Sequence, residues 1–160
     1  MRILCCLDGT NSEQISQVVS SLLTADERTI RLLYVIDSIP HEEMGRKREG
    51  LFRSRNPGGM LSERMRQAEA TTAQEILQEG LRYIPNAETL LREGRAEREI
   101  IQSAAEWNAD LIVIFPRSPK YGGPLVGPKS VGHVARFVLD HAPCPVLLVR
   151  PNVAKPGHQT

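Results

Sequence analysis

Residues 109–150 read ADLIVIFPRSPKYGGPLVGPKSVGHVARFVLDHAPCPVLLVR, and the order of their parts decides the fold. Leu111 to Phe115 is a short apolar run bounded by turn residues, which suits a strand buried on both faces. Then follow roughly sixteen residues rich in Gly, Pro, Ser and Lys, long for a connection inside a compact domain. Val131, Val134, Ala135, Val138 and Leu139 recur with helical spacing and form one apolar face, with Ser130 in the position of an N-cap. The helix ends before Ala142-Pro143, and Val146 to Val149 is a second buried strand. The segment is therefore strand, glycine-rich loop, helix, strand. Its loop delivers a helix N-terminus, where free N–H groups and the positive end of the helix dipole favour an anion.

Working outward, the same alternation fills the rest of the chain. Ile3 to Leu7 is an apolar strand run that ends at Asp8-Gly9-Thr10-Asn11. Ile15, Val18, Val19, Leu22 and Leu23 give a helix face capped by Asn11 or Ser12. Ile30 to Ile36 is a second strand, closed by Asp37 and Pro40. Residues 41–60 are irregular and collect Arg46, Lys47, Arg48, Arg53 and Arg55, as a solvated loop or as a basic flap over an anion. Leu61 to Tyr83 predicts a long helix, Ala87 to Leu91 a short polar edge strand, and Ala96 to Trp107 a further helix. Strands alternating with helices imply a mostly parallel sheet with right-handed crossovers. In such sheets ligands bind outside the carboxyl ends of the strands. Asp8, Val35 to Asp37 and the 115–130 loop all fall at that rim.

The 160 residues carry a net charge of +1 with acids and bases interspersed, so there is no general attraction to nucleic acid or membrane. No apolar run approaches a membrane span, and Met1-Arg2-Ile3 leads straight into a strand with no secretion signal. Cys5, Cys6 and Cys144 are too few for a disulfide framework and read as reduced, buried small hydrophobes, with Cys5 and Cys6 on opposite sides of one strand. The expectation is a cytoplasmic protein with one domain over residues 1–150 and a polar tail over 151–160. No carboxylate pair, Cys/His cluster or Ser-His-Asp arrangement is legible, so no catalytic or metal residue is assigned.

Several blocks resemble the universal stress protein family. They are Ile3-Leu4-Cys5-Cys6-Leu7-Asp8-Gly9-Thr10, Leu33-Tyr34-Val35-Ile36, Ala109-Asp110-Leu111-Ile112-Val113 and His141-Ala142-Pro143-Cys144-Pro145-Val146, and their order along the chain is the more specific sign. The resemblance implies a three-layer α/β/α fold of the adenine nucleotide alpha hydrolase-like type, with a five-stranded parallel sheet of order 3-2-1-4-5. It also implies a homodimer paired through the last strand, Val146 to Val149.

One branch of that family binds ATP through a pattern similar to G-x2-G-x9-G-[ST] after the fourth strand. Here Phe115 replaces the glycine that follows the strand, and Pro119 stands at the first glycine of the pattern. Gly122 and Gly132 keep the x9 spacing, and His133 replaces the small hydroxyl residue. Pro119 removes a donor and fixes φ, whereas His133 donates to phosphate only through its ring nitrogens. Lys120 and Lys129 add charge, and Gly127-Pro128-Lys129-Ser130 is not a Walker motif. The resemblance places Asp8 and Val35 against the adenine and ribose side, and implies a nucleotide site made of Asp8, Gly9, Thr10, Val35, Phe115, Gly122, Gly132, His133 and Val134. Three readings stand. One is a binding module with a degenerate site for ATP or another adenine nucleotide, with Mg²⁺ only if ATP is bound. The second is an interaction protein of the same fold whose pocket is closed by Phe115, Pro119 and His133. The third is a slow ATP hydrolase, for which no base is evident.

Overall fold

A computed structural model describes residues 1–24, 27–38, 58–118, 127 and 129–151. Among them lie five strands and four helices in strict alternation. In chain order they are β1 (Arg2–Cys6), α1 (Ser12–Ser21), β2 (Thr29–Asp37), α2 (Gly58–Tyr83), β3 (Glu88–Gly94), α3 (Ala96–Trp107), β4 (Leu111–Ile114), α4 (His133–His141) and β5 (Val146–Leu148). All pairings are parallel and the order is β3-β2-β1-β4-β5, as the family resemblance implies. β3 is an edge strand, but it runs from Glu88 to Gly94 and so extends beyond the Ala87–Leu91 expected.

Alternation of side chains along β1 divides the core in two. Ile3, Cys5 and Leu7 pack with Ile15 and Val19 of α1 and Leu77 of α2. Leu4 and Cys6 pack with Ile100 and Ala104 of α3 and with Ala135 and Val138 of α4. Cys5 and Cys6 thus face opposite layers, as expected. Burial pushes the Cys5 thiol up to about 12 and raises Cys6 as well, with the neighbouring Cys5 adding to the effect. Cys144 departs from the expectation by being only partly buried.

The helical faces are narrower than their periodicity suggests. Leu22 and Leu139 share the apolar spacing of their helices yet are 65% and 42% exposed. α3 instead buries Glu97 and Ser103 beside Ile100 and Ala104. α3 stops at Asn108, whose left-handed backbone (φ 52°) lets its N–H reach Ala104 O and Ala105 O. His141, the last residue of α4, bonds back through Nδ1 to Phe137 O at 3.0 Å. Among the described residues no helix is long and apolar enough to cross a membrane.

Candidate functional site

The site begins where β1 stops. Asp8 N donates to Asn11 Oδ1 at 3.0 Å, and Asn11 Nδ2 donates to Cys6 O at 3.0 Å. Asp8 Oδ1 in turn accepts from Thr10 N at 2.7 Å and from Thr10 Oγ1 at 2.9 Å. Asn11 stands at the N-cap position of α1, but its side chain makes no cap bond. It is buried and spent on the turn, which corrects the capping role expected from its position. Gly9 makes the turn feasible, with φ +89° and Ile76 Cδ1 3.3 Å from where a Cβ would sit.

Beside this turn, at the carboxyl ends of β1, β2 and β4, lies a cavity of about 410 Å³. That volume falls in the range of small-molecule sites. The cavity occupies the crevice where the strand order reverses on either side of β1, the position at which parallel sheets take ligands. Its apolar wall comes from Cys6, Leu33, Val35, Ile100 and Ile114. Its polar groups include Asp8, Asn11, Asp37, Arg117, Ser118 and His133.

The far wall is the start of α4. Ser130 does not cap it, contrary to the sequence-based expectation; the N-cap is Gly132, and the first helical residue is His133. The Ser130 hydroxyl donates to Gly127 O at 2.7 Å and accepts from Arg150 Nη1 at 3.0 Å, so the side chain closes a turn and ties it to the segment just past β5. Arg136 N donating to Gly132 O is the first bond of the helix, which leaves the N–H groups of His133, Val134 and Ala135 without an intrahelical acceptor. Among the described residues no side chain caps them. Gly132 has φ +82°, and a Cβ on it would stand 3.0 Å from Arg117 Cβ. Arg117 N donates to Val131 O at 3.2 Å and draws the two ends of the long connection together.

The structure thus brings Asp8, Val35, Phe115, Gly132, His133 and Val134 to one cavity. Gly9 and Thr10 support the Asp8 turn and do not line the wall. Gly122, with Pro119 and Lys120, lies outside the described residues. Phe115 packs against the core layer of Leu7 and Ile15, and His133 is 72% exposed in its side chain. Neither fills the cavity. The residues that sequence reasoning left out are Arg117, Ser118, Asn11 and the buried Glu97, whose Oε1 is 3.6 Å from His133 Nε2. Arg117 carries one signal, its place just past the end of β4. Glu97 carries none, because an acidic residue in a first helical turn ordinarily faces water. Among the described residues no group of three or more His, Cys, Asp or Glu side chains is placed to hold a metal ion.

Comparison with known proteins agrees with this architecture. The universal stress protein family matches residues 1–150. A Thermus aquaticus relative, described as "Universal stress protein in QAH/OAS sulfhydrylase 3'region", is 38% identical over 90 residues. That match covers 56% of this chain and 61% of the relative, less than two thirds of its length. Among solved structures, universal stress protein UspA from Lactobacillus plantarum superposes with a TM-score of 0.67 at 23% identity, covering 94% of this chain and 97% of that one. A universal stress protein family protein from Arabidopsis thaliana, solved with AMP bound, gives a TM-score of 0.58 at 17% identity over 99% and 97% of the two chains. At such identities the two structures speak for the fold alone. With the family matching residues 1–150 and the sheet ordered β3-β2-β1-β4-β5, this chain belongs to the universal stress protein family.

Proposed function

We propose that the protein is a stress-response binding module that takes an adenine nucleotide in the rim cavity and acts through ligand-dependent contacts with a partner. The observation that carries this reading is the meeting of two unlike ends in one cavity. Cys6, Leu33, Val35 and Ile100 form an apolar slot beside Asp8, and the uncapped start of α4 lies across from it with Arg117. An aromatic base suits the slot, and phosphate suits the helix end. The AMP bound by the Arabidopsis relative supports the same assignment by analogy of fold. ATP belongs to the same ligand class, with Mg²⁺ entering only alongside a triphosphate.

The reading predicts that Val35→Phe, which fills the slot with an apolar side chain, abolishes binding of AMP and ATP in calorimetric titration while the far-ultraviolet circular dichroism stays native. Unchanged affinity in that variant would remove the base from the slot. The alternative, an interaction protein without nucleotide, needs a closed cavity, and the 410 Å³ left among the described residues favours the first reading. A slow ATP hydrolase would need a base near the γ-phosphate; Asp8 Oδ1 is engaged with Thr10. The setting proposed is a cytoplasmic homodimer joined through β5, with no nucleic acid or membrane partner.

A further inference from the structure

We infer that His133, seated against the buried Glu97, selects anionic over neutral ligands by its own protonation. This rests on the nucleotide reading above. His133 opens α4, at the end of the cavity assigned to phosphate. Glu97 is 4% exposed in the first turn of α3, between Ala96 and Ile100, which both line the cavity. Its Oε1 is 3.6 Å from His133 Nε2. A carboxylate therefore stands 3.6 Å from a ring that lines the end of the cavity assigned to the anion. Left uncompensated it opposes phosphate, and the partly desolvated setting strengthens that opposition. An imidazolium at His133 neutralises Glu97 and adds positive charge to the helix end.

Among the described residues, the charged groups that share the cavity wall with His133 are Arg117, whose Cβ lies against Gly132, Asp37 and Asp8, and Arg136 follows along α4. The Phe137 ring lies 6.2 Å from the imidazole. Arginine and aspartate side chains ordinarily keep their charge between pH 6 and pH 8, whereas imidazole changes. The sign follows from linkage. An anion favours the protonated ring, so binding takes up a proton and affinity falls as pH rises through the imidazole range.

The test is a calorimetric titration of the full 160-residue chain with AMP at about pH 6 and about pH 8, for the native protein, His133→Gln and Glu97→Gln. The phosphate of AMP has an ionisation of its own near pH 6. It acts on all three proteins, so the native-to-variant affinity ratio at each pH, rather than the affinity itself, is compared. For His133→Gln that ratio is expected to be several-fold larger at pH 6 than at pH 8. Glu97→Gln is expected to have the opposite sign and to bind AMP more tightly than the native protein at pH 8. A His133→Gln ratio equal at both pH values overturns the inference while leaving the pocket a nucleotide site. Weaker AMP binding by a folded Glu97→Gln at pH 8 overturns it as well. No binding by the native protein at either pH overturns both this inference and the nucleotide reading.

Discussion

Asn11 holds the rim turn with one side chain. It accepts from Asp8 N and donates to Cys6 O, and it is 3% exposed. Replacing it with Ala leaves both backbone groups without their partner, at a cost of about 1–3 kcal/mol for a buried unsatisfied group. Asn11→Ala is therefore expected to lower the midpoint of urea unfolding and to weaken nucleotide binding together, since the Asp8 turn loses its support. Native binding in a destabilised Asn11→Ala protein would separate the turn from the site. The role is hard to read from sequence, because asparagine before a helix has capping as its ordinary use. Gly132 is the reverse case. Its place in the x9 spacing marks it, and the structure supplies two reasons for glycine there, the φ of +82° and the crowding by Arg117.

Among the elements, β5 is the one with a face still to explain. It is an edge strand, and Val146 to Leu148 are all only partly buried. Pro145 O accepts from Ile112 N, and Val149 N donates to Ile114 O, so the odd-numbered residues bond toward β4. The backbone of Val146 and Leu148 therefore points to the free edge, a template for a second strand. If the dimer forms there, Leu148→Pro removes an outward donor without touching the β4 ladder, a position where proline is tolerated on an edge. Sedimentation is expected to show a dimer for the native chain and a monomer for this variant. A native monomer would refute the proposed interface. Short buried strands and amphipathic helices are legible in this sequence because their apolar periods are unbroken. The start of α4 is not, since Ser130 looks like a cap but bonds Gly127 and Arg150 instead. The exposure of Leu139 is likewise hidden, because periodicity marks a face without saying how far the neighbouring layer extends.

At the scale of the whole molecule, alternating strands and helices place three distant stretches on one rim. Asp8, Val35 and Gly132 are far apart in sequence and line one cavity because β1, β2 and β4 are neighbours and parallel. This convergence is legible from the sequence, since strand ends are. The Glu97–His133 contact across two helices is not, because it depends on how α3 and α4 pack. The proposed occupant of this cavity is an adenine nucleotide. The most direct measurement is the thermal unfolding of metal-free protein titrated with AMP, cyclic AMP and ATP, the last with and without Mg²⁺. A ligand that binds only the folded state stabilises it by about 2.7 kcal/mol at a hundredfold excess over Kd. For a chain of this size that is a rise of roughly 5–10 °C. A nucleotide in the cavity gives a saturable rise with AMP or ATP that Val35→Phe removes. No rise with any of these nucleotides up to millimolar concentration would contradict it.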